Sequence, residues 1–197
     1  MRCVIGVDSS TQSCKVLVVD VDSGAILSEA SSPHPEGTEV HPEEWWSALR
    51  DALSKVETSN VEAISIGGQQ HGLVALDAAG EVVRPALLWN DTRSAPQAEH
   101  IIAQFGAENV AQRTGSVPVA SFTATKLAWV KHHEPQLAEK IAAVALPHDW
   151  LTWRLQGYGP SISSRLGPQL DKLVTDRSDA SGTGYFSPVT NSYDDDI

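Results

Sequence analysis

Residues 4–16 read VIGVDSSTQSCKV, and this stretch decides the reading of the fold. An apolar run from Cys3 to Val7 ends on Asp8, a small or polar segment from Ser9 to Ser13 follows, and Lys15 to Val21 returns to a β-branched pattern. Two strands joined so briefly are antiparallel neighbours. Asp22-Ser23-Gly24 is a second turn signal, and Ala25 to Ala30 reads as a third strand.

Working outward, Pro33, Pro35 and Gly37 interrupt the pattern, and His41-Pro42-Glu43-Glu44-Trp45-Trp46 predicts a helix start. Proline in the first turn and acids near the positive end of the dipole favour that position, and the helix runs to about Val56. Val61 to Ile66 is then a strand arriving by a crossover. Three strands, a helix and a strand define an α/β pattern. Leu73 to Leu76 and Pro85 to Trp89 are expected to extend or flank the sheet, with Asp77 to Gly80 between them as a turn.

Residues 1–90 therefore form a sheet-building core, and residues 91–157 a mostly helical insertion. Its expected helices are Thr92 to Phe105 capped by Asp91, Phe122 or Thr123 to His133, Pro135 to Ala145 and Asp149 to Leu155. Residues 158–197 read as an excursion and a closing segment, with 161–171 on the surface and no strand or helix over Phe186 to Ile197. A sheet begun in this way calls for further parallel strands and covering helices. The chain is accordingly expected to be the front portion of something longer; the alternative is one complete, irregular α/β domain.

The formal charge of −11 disfavours a nucleic-acid surface, which needs a basic footprint. It leaves room for a phosphate-bearing ligand met by backbone N–H groups and a cation. Cys3 and Cys14 read as two buried thiols in a reducing compartment, since neither a disulfide scaffold nor a metal spacing is present. No apolar run approaches the roughly 20 residues of a membrane span, so a soluble, cytoplasmic protein with no membrane partner is expected.

Asp8 ends a strand beside a turn of small residues, where successive N–H groups can face one anion. It can serve Mg²⁺, which takes only one or two protein carboxylates plus phosphate oxygens, while Ser10, Thr11 and Ser13 add hydroxyl donors. Equally, Asp8 can simply make an Asx turn among ordinary hairpin serines. The segment is neither GxxxxGK[ST] nor GxGxxG.

The set GVDSSTQSCKVLVVD (6–20), VHPEEWW (40–46), SIGGQQHGLVALDAAGEVVRPALLWNDTR (65–93), ASFTATKLAWVKHHEP (120–135), LPHDWLTWRLQG (146–157) and TDRSDASGTGYF (175–186) resembles the amino-terminal domain of the FGGY carbohydrate kinases, and within them the xylulokinases. The blocks occur in family order over nearly all of residues 3–186. The resemblance implies a ribonuclease-H-like fold of the actin and sugar-kinase type with a helical insertion. It also implies ATP-dependent phosphorylation of D-xylulose to D-xylulose 5-phosphate, with Mg²⁺. Another sugar or polyol acceptor, or a non-catalytic pentose-binding module, are the alternatives.

By the same resemblance Asp8 lies near the metal and the transferring phosphoryl group, and the turn Ser9, Ser10, Thr11, Gln12 and Ser13 approaches the phosphates. Ser10 stands where glycine is common, which predicts a slightly altered turn. Gln70 and His71 match the pair that contacts the ketopentose, with a glycine on either side to admit the ligand; His71 can alternatively satisfy a loop carbonyl. Asn90, Asp91 and Arg93 match a block on the sugar side, Asp91 and Arg93 serving otherwise as helix cap and ion-pair partner. Trp89 offers an apolar wall or belongs to the core or rim. Phe122, Thr123 and Lys126 shape the pocket, Lys126 reaching an anion or solvent, and Asp176, Ser178, Asp179, Ser181 and Thr183 match the closing block. The resemblance further implies that the general base belongs to a later Gly-Asp-Asn segment, and the nucleotide site to a second, nucleotide-binding domain, both absent from these residues. Relatives often pair, so a homodimer is allowed.

Overall fold

The computed structural model describes residues 2–197. Strand β1 (Cys3–Ser9) runs antiparallel to β2 (Ser13–Asp20), which runs antiparallel to β3 (Ile26–Pro33). After the short β4 (Glu39–Val40) and helix α1 (Pro42–Ser54), β5 (Val61–Gly68) returns parallel to β1, giving the order β3-β2-β1-β5. The hairpin pair and the crossover are as the sequence predicts. The turn is tighter than expected, because Asp8 and Ser9 still belong to β1 and pair with Lys15 and Cys14.

β6 (Val74–Leu76) and β7 (Ala86–Leu87) do not extend this sheet. β7 pairs with β4, and β6 pairs with a strand from the helical half. That half contains α2 (Ala95–Phe105), α3 (Ala107–Thr114), α4 (Thr123–His133), the single turn α5 (Pro135–Ala138), β8 (Ala143–Ala145) and α6 (Pro147–Leu155). The helix expected over Pro135 to Ala145 is thus one turn and a strand, since three small apolar residues find a ladder partner in β6. The closing segment forms α7 (Arg177–Ser181) and, over residues 186–197 where no strand was expected, the hairpin β9 (Phe186–Ser187) and β10 (Ser192–Tyr193).

Alternation along β1 and β2 buries Cys3, Ile5 and Val7 with Cys14, Val16 and Val18, and leaves Gly6, Asp8 and Lys15 on the open face. α1 covers the buried face. His41 caps it by accepting from the Glu43 N–H, and Trp45, Ala48, Leu49 and Ala52 form its inward stripe. Full burial of Leu49 alone stabilises by about 2 kcal/mol. α6 packs alongside, its Trp150, Leu151 and Trp153 entering the same core, and its buried Arg154 pairs with Glu43 across Trp46 and Trp150. Residues 158–173 touch this core as well: Gln169 O accepts from Trp153 Nε1 at 3.0 Å, and Tyr158, Leu170 and Leu173 pack against it.

Cys3 and Cys14 are both buried, as expected. Burial first, and then the charge of Asp8, pushes the Cys14 thiol up to about 11. The thiolate is the reactive form. Native protein at pH 8 should therefore take up no iodoacetamide at Cys14 over an hour, whereas protein in denaturant labels; intact-mass spectrometry reads the difference, and rapid native labelling would contradict the buried placement.

Candidate active site

β1 and β5 run side by side and end at the same edge, at Ser9 and Gly68. The hairpin turn on one side and the segment Gln69-Gln70-His71 on the other leave that edge together. Ser10, Thr11, Gly68, Gln69, Gln70, His71 and Trp89 line a cavity of about 310 Å³. Across the turn, Thr11, Gln12 and Asn90 line a second cavity of about 360 Å³ with residues 33–37. Trp89 is half exposed and donates its Nε1–H to Thr11 Oγ1 at 2.8 Å, so it is a rim residue that ties the turn to its wall.

The turn itself is closed by the Ser10 N–H donating to Ser13 O at 3.1 Å, while His34 bonds Ser10 O through Nδ1 at 2.9 Å and donates its own N–H to Gln12 O at 2.8 Å. Ser10 is not among the residues at positive φ. The serine in place of glycine therefore brings no backbone strain. Ser9 departs from the expected turn: its side chain is buried and its carbonyl accepts from the Gln69 N–H, so any phosphate-facing N–H groups belong to the two residues at the tip, Thr11 and Gln12.

Asp8 lies opposite Gly67 on the open face, exposed, with neither a hydrogen bond nor an ion pair among the described residues. It forms no part of the cavity wall. Its position at the sheet edge beside the turn suits a hydrated magnesium ion that takes its other oxygens from phosphates and water. No group of three or more acidic, histidine or cysteine ligands occurs among the described residues, which excludes an all-protein metal cage there.

His71 is held in a left-handed conformation at φ 67°. Its Nδ1 lies 2.7 Å from Gly182 O, its carbonyl accepts from Thr123 Oγ1 at 3.2 Å, and its ring lies against Phe122 at 5.1 Å. The ring therefore does satisfy a loop carbonyl, and its other nitrogen is left over. Gly72, expected to open the way for a ligand, instead makes room for Pro147: a Cβ there would meet Pro147 Cγ at 2.7 Å. Gly68 serves similarly under His148, at 3.2 Å.

Asp91 does not cap α2, which begins after Ser94. Its carboxylate instead accepts from the Arg93 N–H at 3.0 Å, and Arg93 pairs with Asp91 and Glu39, each at 2.9 Å. Glu39 also binds the buried Arg84, whose other partner is Glu134. Asp91 and Arg93 thus sit in an ion-pair network that braces β4 and β7 against α4, outside the cavity. Lys126 reaches neither an anion nor solvent: it is fully buried, donates Nζ to the carbonyls of Ala120 and Ser121, and burial pushes it down to about 8 against the pull of Asp91.

Spacing in the sequence gave no sign of the cluster beneath Gln70. Gln70 Nε2 donates to Asp179 Oδ1 at 2.9 Å, and Asp179 Oδ2 lies 2.6 Å from His148 Nδ1 as an ion pair not aligned as a hydrogen bond. His148 Nε2 is 3.1 Å from Asp149 and 3.4 Å from Asp176. Burial drives the Asp149 carboxyl up to about 6. His148 also lies above its ordinary value: burial opposes its charge, but Asp179, Asp149 and Asp176 outweigh that. Each raised group contributes stability that is complete below its unfolded pKa and lost as pH rises through its folded one. For Asp149 the window runs from about 3.9 to about 6, and for His148 it opens at about 6.5. Asp179 has the opposite sign but titrates below this range, and His34, which burial holds below its ordinary value, has the opposite sign up to about 6.5. Above that point the melting temperature should fall by a few degrees by pH 8, and His148→Gln should remove that fall. Circular-dichroism melts test this; a rising trend would refute it.

A mixed sheet in the order β3-β2-β1-β5, with a pocket where β1 and β5 end, has the ribonuclease-H-like fold of the actin and sugar-kinase type. The profile of the FGGY family of carbohydrate kinases, N-terminal domain, matches residues 3–197, and the chain belongs to that family. It is 51% identical over 201 residues to the xylulose kinase of Streptomyces coelicolor, with 98% of this chain and 39% of that protein covered. The xylulose kinase of Streptomyces rubiginosus matches with the same identity and coverage. Among solved structures, the xylulose kinase from Bifidobacterium adolescentis superposes with a TM-score of 0.93 at 46% identity, over 98% of this chain and 41% of that one. The chain thus spans about two fifths of the length of the relatives it matches.

Proposed function

We propose that the chain is the sugar-binding portion of an ATP-dependent kinase that converts D-xylulose to D-xylulose 5-phosphate. The convergence of Gln70 and His71 with the Ser10-Thr11 turn in one cavity carries this reading. An amide and an imidazole donate and accept, which suits neutral hydroxyls, and the adjoining turn brings hydroxyl and backbone donors to the edge where a phosphate would arrive. The 51% identity to xylulose kinases supports xylulose as acceptor.

In this scheme Gln70 and His71 orient the sugar with its primary hydroxyl toward the γ-phosphorus. Thr11 and Gln12 offer N–H groups to the phosphate oxygens, and Asp8 would hold magnesium or its water shell. Bound magnesium would offset the charge that spreads over the transferring oxygens. The aspartate that accepts the sugar's proton, and the nucleotide site, come from residues beyond Ile197. Closure of the two parts would exclude water, which otherwise competes as nucleophile.

A coupled ADP-release assay with xylulose and Mg·ATP, on residues 1–197 beside the longer protein that carries them, tests the proposal. Turnover is expected only from the longer form, with xylulose preferred over ribulose, glycerol and gluconate. Equal rates from both, or a preference for another acceptor, would overturn it.

A further inference from the structure

We infer that Asp179, together with the carbonyl of Gly182, sets the hydrogen-bonding polarity of the pocket: it holds Gln70 and His71 as acceptors, so that the site admits neutral hydroxyls and rejects a carboxylate in the same place. The inference rests on the reading of Gln70 and His71 as sugar contacts.

An ionised carboxylate only accepts. With Asp179 Oδ1 at 2.9 Å from the Gln70 amide, the nitrogen must be the atom that faces it, which leaves Oε1 as the free end of the side chain. A protonated Asp179 could reverse that amide by donating to Oε1. His148 prevents this from beneath, with Nδ1 2.6 Å from Asp179 Oδ2. Burial raises the Asp179 carboxyl, but the contacts from His148 and Gln70 outweigh it and hold it below the usual carboxylate range.

The same closing segment treats His71 in the same way. A carbonyl oxygen accepts only, so Nδ1, 2.7 Å from Gly182 O, carries the proton in the neutral ring, and Nε2 offers a lone pair. Gly182 ends α7 and sits so tightly under the ring that a Cβ would come within 2.5 Å of it. Two acceptors thus face one cavity, fixed by residues 109 and 111 positions later in the chain. A sugar meets them with two hydroxyl protons. A carboxylate brings only lone pairs, so both its oxygens and the two side chains would lose partners on burial.

Asp179 is on this account a positioning residue that acts through Gln70, and a double-mutant cycle in the intact protein separates that from general support of the fold. Gln70→Ala and Asp179→Ala should each raise KM for xylulose roughly tenfold and leave kcat within about threefold, and the double variant should be no worse than Gln70→Ala. D-xylonate should inhibit Asp179→Ala at roughly tenfold lower concentration than the parent, because the freed amide can turn its N–H inward.

Multiplicative losses in the double variant would overturn the inference, as would a normal KM in Asp179→Ala beside a raised one in Gln70→Ala, which leaves the sugar reading standing. A normal KM in Gln70→Ala would remove the sugar reading itself. Should Asp179→Ala fail to fold, ¹⁵N spectra of the parent decide: a neutral His71 protonated at Nδ1 supports the assigned polarity, and one protonated at Nε2 overturns it.

Discussion

Asp8→Asn in the intact protein is expected to lower kcat about a thousandfold, a barrier increase of about 4 kcal/mol, with KM for xylulose nearly unchanged. The substitution keeps the shape of the side chain and removes its charge. Asp8 is exposed at the edge of the sheet and its side chain makes neither a hydrogen bond nor an ion pair among the described residues, so removing its charge breaks no such contact. The sugar contacts are assigned to other residues, Gln70 and His71. Loss confined to kcat would therefore report a role in the metal and phosphoryl arrangement alone. A variant that retains kcat within tenfold would leave the carboxylate without that role, and the proposed mechanism would lose its metal-holding group.

Trp150→Ala should cost about 3–5 kcal/mol of stability. Trp150 is completely buried where α6 meets α1 and the sheet, with the Arg154 guanidinium 5.1 Å from its ring centre. Truncation leaves a void that tightly packed neighbours cannot fill. For a chain of this size the melting temperature should drop by roughly 10 °C or more. Trp150→Phe should cost much less, because the indole N–H has no hydrogen-bond partner among the described residues and its removal relieves a desolvated donor. Chemical and thermal denaturation of both variants provide the comparison; equal losses would mean that ring volume is not what the site requires.

The central sheet was legible because its signals are local. Alternation in β1 and β2, the Asp-Ser-Gly turn and the Pro-Glu-Glu-Trp helix start each act within a few residues, and the parallel return of β5 follows from having crossed over a helix. Short elements were not. Ala143–Ala145 carries no pattern longer than three residues, and it is a strand only because Val74–Leu76 offers it a ladder. Asp91 fits a helix cap by type and position, yet an arginine two residues on competes for its carboxylate and wins.

At the site, Gln70, His71 and the turn were readable through motif order, whereas their supports were not. Asp179 and Gly182 reach the pocket across more than a hundred residues, a distance no periodicity spans. Lys126 was misread for a related reason: helical spacing says which face it occupies, and only the tertiary structure shows that two carbonyls wait there to receive a buried ammonium. His148 likewise gives no sign in LPHDW that its ring will underlie a carboxylate from another element.

The late position of α7 has a consequence for synthesis. A nascent chain emerging from the ribosome can complete the β1-β2-β3 hairpins early, since their contacts are local, but its ligand pocket stays unfinished until the residues around Asp179 and Gly182 have cleared the exit tunnel. A ligand of that pocket can therefore assist only the last stage of maturation, and polypeptides released prematurely before that point would retain the sheet while lacking the completed pocket.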